Sequence, residues 1–227
     1  MSNTSINVND IVTTGSGSPT ESSSRRTGGT SKRVFDIVLS ILMLPILLPI
    51  IAALYIAVRA EGGPGFFAHT RVGRNGTHFR CWKIRTMVPD AQERLEELLR
   101  NDSAAREEWE RDRKLRNDPR VTRLGDFLRR SSLDELPQIW NVLCGEMSLI
   151  GPRPVTEPEL QRYGGEVWAY LAMRPGITGL WQVSGRNDVS YEERVMLDVT
   201  YYNGVSLMSD LRILFLTVGV VLGKTGM

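Results

Sequence analysis

Two adjacent carboxylates, Asp134 and Glu135, lie in the run Ser131-Ser132-Leu133-Asp134-Glu135-Leu136-Pro137-Gln138. Neighbouring acids offer two roles side by side, a nucleophile or metal ligand and a proton-handling partner. The same residues also read as helix-start chemistry. Either Ser132 is the cap with Glu135 closing a capping box, or Asp134 is the cap with Pro137 in the first turn. Pro137 favours the second, because proline is tolerated only near a helix start. A carboxylate in that place is held ionised by backbone donors and the helix dipole, the state a nucleophile or metal ligand requires.

A charged substrate for such a pair would need cations, and the chain supplies arginines at its turns. Arg85 lies in Lys83-Ile84-Arg85-Thr86-Met87, Arg153 in Gly151-Pro152-Arg153-Pro154, Arg174 in Arg174-Pro175-Gly176-Ile177-Thr178-Gly179 and Arg186 in Ser184-Gly185-Arg186-Asn187, with Arg129 and Arg130 just before the acids. A planar guanidinium grips phosphate oxygens through two donors, and a rigid turn presents it at little entropic cost. Taken singly, each arginine reads as a solvated surface charge. Taken with the carboxylates, they point to phosphoryl chemistry, with Mg²⁺ bridging a carboxylate and diphosphate oxygens.

Other chemistries are excluded by count or spacing. Two histidines, His69 and His78, and two cysteines, Cys81 and Cys144, cannot build a three-histidine zinc site, a four-sulfur site or a disulfide framework. Gly219-Val220-Val221-Leu222-Gly223-Lys224-Thr225 has three residues between its glycines where a P-loop needs four. No G-x-G-x-x-G, G-x-S-x-G or D-x-D motif is present. With 28 basic and 26 acidic residues the net charge is +2, too weak a field for a nucleic-acid partner.

The elements that must position these residues follow from composition and pattern. Of residues 1–31, 21 are Ser, Thr, Gly or Asn, types that build no core, so a disordered tail is expected there. An uncharged run of 22 residues from Ile37 to Val58 follows Lys32-Arg33. As a helix it would extend ~33 Å, enough for a bilayer core of ~30 Å. Pro45 and Pro49 each delete a helical hydrogen bond within it, so a break or kink is expected. Basic residues at both ends, Lys32-Arg33 and Arg59, favour a re-entrant helix that dips into one leaflet over a kinked spanning one. Phe66–Val72 and Thr77–Ile84 around Asn75-Gly76 read as a β-hairpin. Asp90 with Glu93 reads as a capping box opening a helix that carries Leu95, Leu98 and Leu99. Shorter helices are expected at Leu124–Arg130 and Leu136–Leu143, and a last one at Val205–Leu222 that suits an interfacial or a core helix equally. The fold class expected is α+β, predominantly α-helical.

Six of these segments, Lys32-Arg33-Val34-Phe35-Asp36, Lys83–Met87, Ser132–Gln138, Gly145–Pro154, Arg174–Gly179 and Gly185-Arg186-Asn187, together resemble the bacterial sugar transferases. These are the monotopic polyprenyl-phosphate phosphoglycosyl transferases. The resemblance covers residues 32–227 in order and is to the short members that begin exopolysaccharide synthesis, without the additional N-terminal membrane helices of the long ones. It implies a disordered tail at 1–31, a re-entrant membrane helix at 32–60 and a cytosolic catalytic domain at 61–227 with a C-terminal interfacial helix, on the bacterial inner membrane and facing the cytoplasm. It also implies transfer of hexose-1-phosphate from a UDP-sugar to undecaprenyl phosphate with release of UMP.

In that resemblance Asp134 matches the nucleophile that forms a covalent phosphosugar intermediate, and Glu135 its catalytic partner, the two serving as ligands of Mg²⁺. Arg153 and Arg186 match phosphate or nucleotide contacts, and Arg85, Arg129 and Arg174 further basic residues of the site. Asp198 matches a recurrent family acid and reads equally as structural. Pro49 matches the break of the membrane helix; Leu48 stands where some relatives have serine. The sugar, glucose or galactose by analogy with exopolysaccharide-initiating members, and the oligomeric state stay open. A membrane scaffold using the charged helix at 90–116 and a metal-dependent lipid diphosphatase are the competing readings; loss of transfer in Asp134→Asn, and UMP release that requires polyprenyl phosphate, separate them.

Overall fold

A computed structural model of the chain describes residues 29–112, 115–185 and 189–222. Its elements in order are α1 (Thr30–Ala60), β1 (Phe66–Val72), β2 (His78–Ile84), α2 (Ala91–Asn101), α3 (Ser103–Asp112), α4 (Arg123–Arg130), α5 (Gln138–Cys144) and β3 (Ser148–Ile150). Then come α6 (Glu157–Leu160), α7 (Val167–Ala172), β4 (Gly176–Thr178), α8 (Leu180–Val183), α9 (Tyr191–Asn203) and α10 (Leu207–Leu222). The class is predominantly helical α+β, with one long apolar N-terminal helix and two small sheets.

The hairpin forms where alternation and turn chemistry placed it. β1 and β2 pair antiparallel from Phe66 opposite Ile84 to Val72 opposite His78. Asn75 and Gly76 both take left-handed φ, 57° and 76°, which is why Asn-Gly closes this turn. The second sheet is a parallel pair, Ser148 opposite Gly176 and Ile150 opposite Thr178, which joins two of the motif segments. A side chain at Gly151, Gly176 or Gly179 would collide with the backbone of the facing segment, so those glycines serve the approach of two chains. The main core gathers Ile84, Leu128, Val142, Met147, Ile150, Leu180 and Ile213, and a second one Val72, Val155, Leu160, Tyr163, Tyr170 and Val195.

A break or kink was expected at Pro45 and Pro49, and α1 runs through both as one helix of 31 residues. Each proline leaves a carbonyl four residues back, on Ile41 and on Pro45, without its helical donor, and the neighbouring turns carry the helix past the gap. Both ends dock on the rest of the chain. Arg33 Nη1 donates to Val142 O at 2.6 Å, Asp36 Oδ1 accepts from Leu149 N at 3.1 Å, and Arg85 Nη2 donates to Val58 O at 3.1 Å. The middle is bare, with Ile41, Leu42, Ile46 and Leu48 exposed. Among the described residues it is the one helix long and apolar enough to cross a membrane.

α10 combines both readings given for the last segment, since Ile213 is buried in the core while Leu207, Met208, Leu211, Phe215 and Val218 are exposed. At α2, Asp90 makes no side-chain cap; its Oδ2 accepts from Arg94 Nε at 2.9 Å one turn on. The arginine outcompetes the backbone because a charged donor makes the stronger bond.

Candidate active site

The two acids lie in a single turn of 3₁₀-helix, Leu133–Glu135, which follows Ser132 in a left-handed conformation, φ 56°. That reversal ends α4 and aims the next residues back toward the hairpin. Neither capping arrangement forms, because α5 begins only at Gln138 after Pro137 and neither Ser132 nor Pro137 caps through a side chain. Asp134 is therefore not held by a helix start. It is 7% exposed, and what faces it is Lys83.

Lys83 Nζ donates to Glu135 Oε1 at 2.7 Å and stands 3.6 Å from Asp134 Oδ2. Burial raises the pKa of Asp134; Lys83 and Arg129 pull it back while the charge of Glu135 pushes it further up. The result is a carboxylate that two cations help to keep ionised although little water reaches it. Sequence reasoning quoted the segment holding Lys83 and passed over the residue. Its signal was period two: Phe79 and Cys81 are buried on β2 and Lys83 continues their side of the strand, so its charge is turned inward and must meet an acid.

The other residues singled out from sequence fall in several places. Arg129 Nε donates to Thr86 Oγ1 at 2.9 Å, and Arg129's charge acts on Asp134. Arg85, 7% exposed, donates to the end of α1 through Nη2, while its Nε and Nη1 have no hydrogen-bond partner. Arg153 is exposed, its guanidinium 6.0 Å from the centre of the Trp181 ring. Arg174 lies away from the acids: its Nε donates to Gly145 O at 2.8 Å, and with Arg33 on Val142 O and Leu143 O it covers the C-terminal carbonyls of α5. Asp198 is in the second core, accepting from Tyr163 Oη at 2.7 Å, and burial raises its pKa to about 7. Arg186 lies outside the described residues. Burial likewise pushes the Cys81 thiol up to about 11, leaving it inert as a nucleophile.

Among the described residues no three His, Cys, Asp or Glu side chains converge as metal ligands. The pair Asp134 and Glu135 matches the way Mg²⁺ is commonly held, by one or two carboxylates with the remaining oxygens from phosphates and water.

The family model described as "Bacterial sugar transferase" matches residues 27–224, which spans α1, the hairpin and every residue of this site. The chain belongs to the bacterial sugar transferase family. Among similar sugar transferases, the UDP-galactose-lipid carrier transferase of Erwinia amylovora is 55% identical over 195 residues, 86% of this chain and 41% of that protein. The undecaprenyl-phosphate galactose phosphotransferase of Salmonella typhimurium is 53% identical over 202 residues, 89% of this chain and 42% of that protein. The chain thus spans about two-fifths of the length of these two relatives. The exopolysaccharide production protein ExoY of Rhizobium meliloti is 48% identical over 198 residues, 87% of this chain and 88% of that protein. Each residue of the segment Lys83–Met87 now has a part, four through their side chains and Met87 through its backbone. Lys83 meets the acids, Ile84 is core, Arg85 holds α1, Thr86 orients Arg129 and Met87 bridges to Val121.

Proposed function

We propose that this chain transfers a hexose-1-phosphate, glucose or galactose, from a UDP-sugar to undecaprenyl phosphate and releases UMP, the first membrane step in building an exopolysaccharide. The observation that carries the reading is the buried Asp134 within reach of one cation, Lys83, that it shares with Glu135. A buried carboxylate with a nearby ammonium is desolvated yet charged, which is what an attack on phosphorus demands.

In the first step an oxygen of Asp134 bonds to the sugar-bearing phosphorus as the bond to the UMP oxygen breaks. In the second the phosphate of undecaprenyl phosphate displaces Asp134 and takes the phosphosugar, restoring the carboxylate. Lys83 holds Glu135 in place and offsets the charge that gathers as two anions approach. Arg129, fixed by Thr86, adds a second positive charge. Mg²⁺ held by Asp134 and Glu135 would supply further neutralisation of the diphosphate.

The setting proposed is the cytoplasmic face of the bacterial inner membrane, with residues 32–60 dipping into the bilayer and 61–227 outside it. Support for a re-entrant anchor comes from the contacts of α1, whose first and last turns both bond to the domain that carries the site, while the apolar middle is exposed. The exposed apolar side of α10 fits the same lipid surface.

The test is UMP release by protein in nanodiscs with Mg²⁺, polyprenyl phosphate and a panel of UDP-sugars. Release that needs the lipid, is confined to one or two sugars and disappears in Asp134→Asn is the expected result. Lipid-independent phosphate release would instead favour a phosphatase, and no release with any sugar from folded protein would overturn the reading.

A further inference from the structure

Asn141 on α5 is fully buried, and an amide in that place must find partners for its donors and its acceptor. Its Oδ1 accepts from Trp82 N at 3.1 Å, and its Nδ2 donates to Arg80 O at 2.7 Å and to Glu146 Oε2 at 2.6 Å. The three partners agree on how the amide is turned, because a backbone N–H only donates while a carbonyl and a carboxylate only accept. The backbone carbonyl of Asn141 accepts in turn from Glu146 N at 3.0 Å and Met147 N at 3.2 Å. One residue thus joins β2, α5 and the turn that leaves α5.

Arg80 O and Trp82 N flank Cys81 on the edge of β2 that β1 leaves open. Backbone groups of successive strand residues point to opposite edges, so Cys81 turns toward β1, where it lies opposite His69, and Arg80 and Trp82 turn away. The Asn141 amide fills the donor and acceptor places that one residue of a parallel third strand would fill. A slip of β2 by one residue would bring up the groups that already serve β1, so the amide fixes the strand along α5 as well as against it. The apolar contacts of Ile84, Leu128 and Val142 in the same core are non-directional and set no such register.

The register matters because of what sits at each end of it. Lys83 follows Trp82 directly, and only Leu136 and Pro137 separate Glu135 from the start of α5. The far end of α5 is itself held, by Arg33 on Val142 O and Leu143 O and by Arg174 on Gly145 O. The strand that carries the cation and the helix that follows the anions are therefore pinned together one residue from Lys83. A lysine stem is flexible, so where its ammonium can reach depends on where the strand is held. Lys83 Nζ is 2.7 Å from Glu135 Oε1 and 3.6 Å from Asp134 Oδ2, and a shift of β2 would give up the longer approach first.

We infer that Asn141 is a positioning residue of the transferase site, which pins β2 to α5 and so keeps the Lys83 ammonium beside Asp134 as well as Glu135. This rests on the transferase reading above. Asn141 acts on the acids through β2 and Lys83, so its loss slows the attack on phosphorus and leaves the binding of both substrates alone. Glu146 belongs to the same device, because its carboxylate holds the amide nitrogen on the side where Arg80 O also needs a donor.

The experiment follows UMP release by the full-length protein in nanodiscs, with Mg²⁺, polyprenyl phosphate and a UDP-sugar. Asn141→Ala is expected to lower kcat about thirtyfold, the scale of a reacting group displaced by about 1 Å, with KM for both substrates within about twofold of wild type. In a Lys83→Met background the same substitution should lower kcat by less than about a further twofold, because the group it positions is gone. A residue that only supports the fold would lower kcat by the same factor in both backgrounds, and that result overturns the inference. So does a wild-type kcat in folded Asn141→Ala, or a loss confined to KM. Glu146 is exposed, so Glu146→Lys spares the core and carries the test where Asn141→Ala does not fold. The ammonium it introduces opposes the Nδ2 donors and favours the amide turned over, so kcat should fall about fivefold, and only while Lys83 is present. A wild-type kcat in Glu146→Lys, with Asn141→Ala unfolded, overturns the inference as well. Failure of the transferase reading looks different: wild type itself releases no UMP from any donor.

Discussion

Asp134 and Asp198 are both buried, 7% and 2% exposed, and burial raises the pKa of each. What differs is the answer their surroundings make to a negative charge. Asp134 meets Lys83, Arg129 and a second acid; Asp198 meets a phenol, Tyr163, which donates one hydrogen bond but brings no charge. The first environment tolerates an anion and lets it react, and the second favours the neutral acid up to about pH 7. Two acids that a motif match alone ranks together are thus separated by their neighbours, one suited to chemistry and one to packing.

The widest separation should appear in activity. Asp134→Asn is expected to abolish transfer, at least about a thousandfold, with the thermal midpoint nearly kept, because the amide retains the shape but cannot attack phosphorus. UMP release and a melting curve on one preparation check it. Lys83→Met should cost about a hundredfold, the scale of a lost charge stabiliser. The same variant should also move the acid limb of the pH–rate profile to higher pH. Lys83 holds the Asp134 pKa down, so without it the carboxylate forms only in more alkaline solution.

Asp198 should respond through stability instead. Its folded pKa of about 7 lies above the ordinary unfolded value of about 3.9. The folded state therefore binds the extra proton between those values, and the stability this gives is full below about pH 4 and lost as pH rises through about 7. Asp198→Asn, which mimics the neutral acid, should flatten that decline, and thermal midpoints from pH 5 to 8 measure it. The smallest effect is expected at Arg174, where Arg174→Ala removes one bond to the end of α5 and costs about 1 kcal/mol. Denaturant unfolding checks the size, and an unchanged KM for the donor would confirm that this arginine is structural.

How much could be read beforehand varied with the range of the interactions involved. The hairpin was legible because Asn75-Gly76 and the alternation beside it are local. The apolar helix was legible because hydropathy needs no partner, and the break or kink its prolines suggested leaves it a single helix. The carboxylate pair stood out by type. Its cap did not form, because Ser132 turns left-handed and the turn after it packs on β2, a contact no neighbouring residue announces. The parallel pairing of Ser148–Ile150 with Gly176–Thr178 and the place of Arg174 at Gly145 depend on residues 28 and 29 apart in the chain, beyond the reach of pattern.

Lys83 and Arg85 are two residues apart, one holding the reacting acids and the other the last turn of the apolar helix. With the opposite end of that helix fastened by Arg33 and Asp36, the helix would act as a depth gauge in the membrane setting proposed above. In the setting proposed here, a thicker or thinner bilayer would pull on Val58 and so on Arg85, raising or lowering the carboxylates relative to the plane in which lipid phosphates travel. Transfer should then be fastest in membranes whose thickness lets both fastenings hold at once.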